Sequence, residues 1–536
     1  MAQRALALDL GSSSVRAIVF EAAGRGDLTA VRGALARRPR RLTSAEPGQA
    51  TFDAGNYFAD LVACLDELNA KGALDGVTEV ALDCQWHSVL ALGPGGHPLS
   101  PVVSWADTRP QRALPGSTPE ALEQLRQRTG CAFAPMYWTW RLPWLQSELG
   151  RGGGGRSPAR FVGFSEYVGL ELLDDPSMSV SMASGTGLFS TATLCWDDEA
   201  LELAGVSALA LPQLAAPGWR GLLTPEWRRR WPALAGASWH PALGDGAAAN
   251  LGVGCSSPNQ AAITIGTSAA VRSVRPGPGR SVLPAGLWRY CVDRERTVTG
   301  AAYSSGGQLY AWALSLWEGT ASSGARALAA LRSAGAGREL ARHLKPVRYD
   351  VIVDVPPGSD GVLVLPWHAG TRPPAPAVPA GRGVVLGLGL GHTGAHIVSA
   401  AVEAVCFQLA GGLADLELGA SGAVRPPVGQ PIEVPTEVPI EVPMEVVVNG
   451  GAIEGSRWWE QRLAAALGRP VLCSSVPETT ARGAAADALG VELAIGGVQG
   501  ELVEPALADI EALAAARGRW AEYYEQLLPI AGSHGR

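Results

Sequence analysis

Two stretches far apart in the chain follow one plan. ALALDLGSSSVRAIVF (Ala5–Phe20) and AAITIGTSAAVR (Ala261–Arg272) each run an apolar strand into a glycine-hydroxyl turn, then return as an apolar strand that carries an arginine. Apolar runs broken by such turns read as β-hairpins. A chain of 536 residues is also too long for one growing core. The second copy starts near the midpoint, so two domains are expected, 1–254 and 255–536.

Between and beyond the hairpins, strands alternate with helices. Phe58, Leu61, Val62, Leu65 and Leu68 recur at helical spacing within Tyr57–Leu68. Strands are expected at 78–82, 261–265, 269–274, 361–365 and 445–448, and helices at 306–317, 395–414 and 456–467. Phe161–Leu173 reads as strand then helix. This alternation predicts α/β layers. Within Pro431–Glu445, PIEVPTEVPIEVPME puts proline at every fourth position, which forbids a helix or a central strand. A Pro-rich, extended surface insertion without chemistry is expected near 424–445.

Composition excludes several classes. A net charge of -7 with 17% charged residues gives no nucleic-acid footprint. The N-terminus lacks the basic segment and apolar run of a secretory signal, and no window of about 20 apolar residues suggests a bilayer span. A cytoplasmic location is expected, without a membrane partner. Eight scattered cysteines without a CxxC pair read as reduced. Only Lys71 and Lys345 stand against 41 arginines, and neither lies in a Walker A loop.

Turns of glycine and hydroxyls at strand ends suit phosphate, since bare backbone N–H groups can approach an anion and hydroxyls add donors. Gly11, Ser12 and Ser13 form one such turn; Gly266, Thr267 and Ser268 form another. An ordinary hairpin turn reads the same way. Asp9 repels phosphate, but a Mg²⁺ shell can lie between a carboxylate and phosphate oxygens, so Asp9 is the expected metal contact, through water. In Gly244-Asp-Gly246, Asp245 reads either as the N-cap of the small-residue run that follows or as a general base whose flanking glycines admit a substrate hydroxyl. His87 sits beside Trp86 at a strand end, where ligands of α/β sheets bind, or is a buried structural histidine. Val448-Asn-Gly-Gly-Ala452 would let a flat adenine or ribose lie on backbone.

In order along the chain, DLGSSSVR, QWHS, SWADTR (Ser104–Arg109), GDG, GTS and NGGA resemble the FGGY carbohydrate kinases of the actin-like ATPase superfamily. The resemblance spans roughly residues 3–495. Trp86-His-Ser88, Trp105-Ala-Asp-Thr-Arg109, Ser181–Leu188 and Gly244-Asp-Gly246 look most like the gluconokinase branch. It implies two actin-like (ribonuclease H-like) α/β domains around a central cleft, with ATP and Mg²⁺ as cofactors. Asp245 would then be the catalytic base, and the turns at Gly11 and Gly266 the phosphate loops. Gly307, Gly451 and Gly455 would lie near adenosine, and Trp86, His87 and Gly246 at the sugar. The expected reaction is ATP-dependent phosphorylation of the terminal hydroxyl of an open-chain sugar acid, gluconate to 6-phosphogluconate. Xylulose, ribulose or sedoheptulose kinases, or a non-catalytic sensor of the same fold, are the alternatives. A substrate carboxylate needs a cation, for which Arg109 and Arg141 are candidates. Thr371, in Leu365–Pro373, stands where the family leads one to expect an acid. The expected partner is a small sugar or sugar acid, with no nucleic acid, and a homodimer is left open.

Overall fold

The first repeated stretch forms a hairpin of β1 (Gln3–Leu10) and β2 (Ser14–Gly24), in which Leu10 opposes Val15 across the serine turn. The computed structural model describes residues 3–24, 26–110, 118–151, 158–318, 354–420 and 444–533. On one side β2 pairs antiparallel with β3 (Asp27–Pro39). On the other, β1 pairs parallel with β4 (Val77–Cys84), and β4 with the short β5 (Ser238–Trp239) and β6 (Leu243–Gly244).

The second stretch repeats the design. β7 (Gln260–Ile265) and β8 (Ala269–Pro276) form the hairpin; the chain then makes β9 (Trp288–Cys291) and β10 (Arg296–Tyr303). The second sheet runs β9-β10-β8-β7, then parallel β11 (Glu445–Asn449) and β12 (Val471–Ser474), with β13 (Gly500–Val503) at the edge. Each hairpin thus has an antiparallel strand on one flank and a parallel strand on the other.

Helices cover the sheets because their apolar stripes leave no other place to go. Helix α1 (Ala54–Ala70) is capped by Asp53, whose carboxylate accepts the Asn56 N–H at 2.7 Å; Leu61, Leu65 and Leu68 are buried against the first sheet. Helix α2 (Trp138–Arg151) and the five-residue α3 (Val180–Ser184) build the wall beside the strand ends, and α4 (Asp245–Gly252) follows β6. Helix α5 (Gly307–Glu318) and the long α6 (Gly394–Ala420) serve the second sheet, where Val398, Val402, Val405, Leu409 and Leu416 are buried with Ile263 and Val271. Each such side chain contributes about 1.5–3 kcal/mol of burial.

Contrary to the sequence reading, α6 is long and apolar enough to cross a membrane by length and composition; its most apolar window is 83% buried inside the protein, as befits a core helix. The chain division at 254/255 is crossed by packing. Helix α7 (Arg457–Leu467) stays with the second sheet, but α8 (Thr479–Leu489) lays Ala481, Ala485 and Ala486 on Ala5, Ala7, Ile18 and Phe20 of the first. Trp288 and Tyr290 of β9 likewise belong to the first core. The closing helix, α9 (Leu507–Ser533), returns to the second core through Leu513, Ala516 and Trp520.

The expected insertion lies outside the described residues as far as position 443. Its flanks meet: the Met444 N–H donates to Glu417 on α6 at 3.2 Å, and Arg469 reaches both Glu417 and the Met444 carbonyl.

Candidate active site

Parallel pairing of β4 with both β1 and β6 brings three acids to one edge of the first sheet. Asp9 is in register with Asp83, Asp83 with Leu243, and Asp245 lies two residues beyond Leu243. Asp83 is fully buried, and no N–H or hydroxyl donor among the described residues reaches either of its oxygens. Burial first, then the charges of Asp9 and Asp245, push its carboxyl well above the ordinary range. Nothing in the sequence marked Asp83 except its place at a strand end. Asp9 Oδ2 lies 3.1 Å from Arg16 Nη1, and the same nitrogen donates to Glu478 at the start of α8. Glu478 takes a left-handed backbone conformation, φ 52°.

Carboxylate oxygens are hard ligands that suit a divalent cation, and Asp9 is the acid here that pairs with a cationic side chain, Arg16. No cluster of three His, Cys, Asp or Glu side chains among the described residues could hold a metal ion, so a cation facing Asp9 would keep water in its shell.

Asp245 is not an N-cap. Gly244 occupies that position and Asp245 is the first helical residue, its Oδ1 accepting the Gly246 N–H at 2.8 Å. It is half-buried. Burial raises its pKa and the charge of Arg272 opposes the rise. The flanking glycines make room for a neighbour. A Cβ on Gly244 would fall 1.8 Å from the Trp86 ring, on Gly185 2.5 Å and on Gly246 2.7 Å, so the indole lies flush on three bare backbones. Trp86 Nε1 donates to the Ser181 carbonyl at 3.0 Å, and Ser181 Oγ accepts the Gly244 N–H at 3.1 Å.

His87, with φ 69°, turns its ring beside this wall. Its Nδ1 lies 2.5 Å from the Gly185 carbonyl, which can only accept, so Nδ1 carries the proton and Nε2 is left an acceptor. Burial holds the imidazole neutral, its pKa down at about 3.

The second half of the chain completes the wall. Tyr290 meets Trp86 edge-on at 4.7 Å between centroids, approaches His87 at 5.6 Å, and shares a 2.8 Å hydroxyl contact with Tyr137; Trp288 stacks on Tyr290 at 4.5 Å. Arg272, from the second hairpin, lies against Gly246 and donates from Nη1 to Thr264 Oγ1 at 3.3 Å. Arg272 thus connects the surroundings of Asp245 to the strand that ends in the Gly266 turn.

Both glycine-hydroxyl turns are held from behind. The Gly11 carbonyl accepts the Tyr57 hydroxyl, the Ser13 carbonyl accepts the Arg40 N–H at 2.7 Å, and the buried Ser14 hydroxyl accepts Arg16 Nε at 3.0 Å. Ser12 and Ser13 remain partly exposed. In the second turn the Gly266 N–H donates to the Ser268 carbonyl at 2.9 Å, and the Gly266 carbonyl accepts the Gly307 N–H at 2.8 Å. Gly307 therefore begins α5 directly against the turn. Gly451 and Gly455 follow β11, whose Asn449 is in register with Thr264. The tightest glycine here is one that sequence reading passed over: Gly450 has φ 116°, and a Cβ would fall 2.4 Å from the Ile265 carbonyl. The structure thus gathers Gly266, Thr267, Ser268 and Gly307 at one strand end, with Gly451 and Gly455 in the turn that follows the adjoining strand. Asp9, Gly11, Asp83 and Asp245 stand together at the strand ends of the first sheet.

Neither expected arginine is free for a substrate anion. Arg109 is held by Asp107 and Glu46. Arg141 is fully buried and donates to the carbonyls of His87, Val103, Asp107 and Pro135. Both hold the SWADTR segment and the strand end in shape.

Residues 4–252 match the model of the N-terminal domain of the FGGY family of carbohydrate kinases, and residues 261–489 that of its C-terminal domain. Among curated relatives, the gluconokinase of Bacillus subtilis (strain 168) is 26% identical over 426 residues, 75% of each chain. The glycerol kinase of Citrifermentans bemidjiense is 29% identical over 425 residues, covering 75% of this chain and 77% of the relative. Two solved structures share the two-domain actin-like fold. Gluconate kinase from Lactobacillus acidophilus aligns at TM-score 0.78 and 20% identity over 100% of this chain and 99% of its own. Xylulose kinase from Rhodospirillum rubrum aligns at 0.78 and 21%, over 99% and 100%. With both family domains matched in order along one chain, the protein belongs to the FGGY family of carbohydrate kinases and is an ATP-dependent sugar kinase.

Proposed function

We propose that this kinase phosphorylates the terminal hydroxyl of an open-chain sugar acid, converting gluconate to 6-phosphogluconate. The observation that carries the reading is Asp245. Of the three acids at the strand ends it is the one left partly open, and it is bordered by Trp86, Arg272 and Gly246. As the substrate oxygen bonds to the γ-phosphorus, Asp245 takes the hydroxyl proton, and the bond from that phosphorus to the departing ADP oxygen breaks. A carboxylate with a raised pKa is a better base as long as it stays ionised at the working pH. Catalysis comes chiefly from alignment and charge neutralisation.

The Gly11–Ser13 and Gly266–Ser268 turns offer backbone N–H and hydroxyl donors to the phosphates, and Gly307, Gly451 and Gly455 offer bare backbone to the adenosine. Asp9 would hold Mg²⁺ through water, and such an ion supplies charge neutralisation along the phosphates. Trp86 gives the sugar an apolar face, and His87 Nε2 accepts from a sugar hydroxyl. An ATP-consuming sugar kinase of this kind acts in the cytoplasm.

The gluconokinase relatives at 26% identity support the substrate, while glycerol and xylulose kinases among the similar proteins make the choice worth testing. Gluconate, xylulose, ribulose, sedoheptulose and glycerol should be compared by kcat/KM with Mg-ATP. Gluconate should lead the panel. A clear preference for a neutral sugar would overturn the assignment of a sugar acid.

A further inference from the structure

Arg372 stands in the wall around the proposed sugar site without an acid of its own. Its guanidinium lies over the Trp105 ring, Cζ 4.4 Å from the centroid, and it makes no hydrogen bond or ion pair among the described residues. The electrostatic neighbours of Arg372 include Arg272, Asp245 and Tyr290, and its charge is felt in turn by His87. Those are the side chains that surround the proposed sugar. The side chain is half-buried, open enough for a ligand and enclosed enough that burial pulls its pKa down to about 10.

A guanidinium so placed is costly unless a partner completes it. Its planar fork is built to take a carboxylate with two parallel hydrogen bonds. The backbone that presents it is fixed, because Thr371 Oγ1 accepts the Val378 N–H at 2.8 Å and donates to the Pro376 carbonyl at 2.6 Å. Trp105 comes from the first half of the chain, so the ring that steadies Arg372 is supplied by the other half of the molecule. Arg272 faces Asp245, on which it is the main charge, and gives its one Nη1 hydrogen bond to Thr264, its buried Nε having no partner among the described residues. Arg109 and Arg141 are engaged with protein groups. Among the described residues around the proposed sugar, Arg372 is the arginine whose whole guanidinium lacks a hydrogen bond or ion pair.

We propose that Arg372, steadied on Trp105, receives the carboxylate of the sugar acid and thereby sets the preference for an anionic substrate. Asp245 and Arg372 then address opposite ends of one open-chain molecule, the hydroxyl terminus and the acid terminus. The inference rests on the sugar-acid reading above, and the experiment separates the two.

Full-length wild type, Arg372→Met and Arg372→Lys should be assayed with gluconate and xylulose, each at saturating Mg-ATP, and with ATP varied at saturating gluconate. Methionine keeps an apolar stem over Trp105 and lysine keeps the charge without the fork. Arg372→Met should raise the gluconate KM tenfold or more, leave the ATP KM within about twofold, and lower the gluconate-to-xylulose ratio of kcat/KM at least tenfold. Arg372→Lys should fall between the two, and circular dichroism should match wild type for both variants. An unchanged gluconate KM in a wild type that prefers gluconate would overturn this inference alone. A rise in the ATP KM in step with gluconate would overturn it by assigning Arg372 to the phosphates. A wild type that prefers xylulose would overturn the sugar-acid reading and the inference with it.

Discussion

Asp83 and Asp245 stand one strand apart, and their surroundings treat them differently. Asp245 keeps a backbone donor, the nearby charge of Arg272 and partial exposure; Asp83 has burial and two like charges. Asp245→Asn should therefore lower kcat by about 10²–10⁴ while the melting temperature holds or rises, and near-normal turnover would remove Asp245 as the base. For Asp83 the folded pKa is raised, so its contribution to stability is full below the unfolded value near 3.9 and drains away as pH climbs, at up to about 1.4 kcal/mol per pH unit. Asp83→Asn should consequently gain on wild type between pH 4 and pH 7 in denaturant titrations. A gap that stays constant over that range would contradict the burial argument. His87 has the opposite sign: its depressed pKa means that stability is lost as pH falls below about 6.5. At the scale of single residues, Asp9, Trp86, His87 and Asp245 were legible because each interrupts or ends an apolar strand. Asp83 also ends its expected strand but has no neighbouring glycine or hydroxyl to single it out, and Arg372 sat unremarked beside Thr371, the position where an acid had been expected.

At the scale of elements, legibility followed periodicity. Both hairpins, α1, α5, α6 and α7 announce themselves by apolar spacing, and the structure has them within a few residues of expectation apart from the longer C-terminal end of α6. Strand β9 did not, since Trp-Arg-Tyr-Cys has no alternation and all four residues are buried. Helix α8 was missed because its alanines and glycine carry no amphipathic stripe: it packs on the first sheet and also crosses α4. At that crossing a Cβ on Gly483 would fall 1.8 Å from the Ala248 carbonyl, and one on Gly252 1.8 Å from that of Thr479. Gly483→Ala should cost at least about 2 kcal/mol in equilibrium unfolding, as overpacking of tight contacts does; a neutral result would mean that the helices can separate freely. The meeting of Glu417, Met444 and Arg469 carries another prediction. Because the flanks of the Glu-Val-Pro segment already touch, replacing residues 424–443 with a short Gly-Ser link should leave kcat/KM within about twofold. A large loss would assign that segment a part in catalysis.

The whole molecule joins its halves through more than the chain crossing at 254. Ala481 and Ala485 cover the first sheet, Trp288 and Tyr290 complete the first core, and Glu478 reaches Arg16 beside Asp9. Residues 1–254 expressed alone would leave Ala5, Ala7, Ile18 and Phe20 uncovered, and should bind a hydrophobic dye or aggregate where the full chain does not. The two hairpins made the doubled architecture legible from the sequence, whereas this exchange of pieces depends on contacts between residues hundreds of positions apart. The crossing of α4 and α8 also bears on how such a protein can change over generations. Two backbones touch there without room for a methyl group, so drift at Gly252 or Gly483 is barred whatever sugar is in use. The ring of Trp105 and the guanidinium above it face no such veto, which makes that rim the place where a descendant could acquire a new diet while keeping its engine.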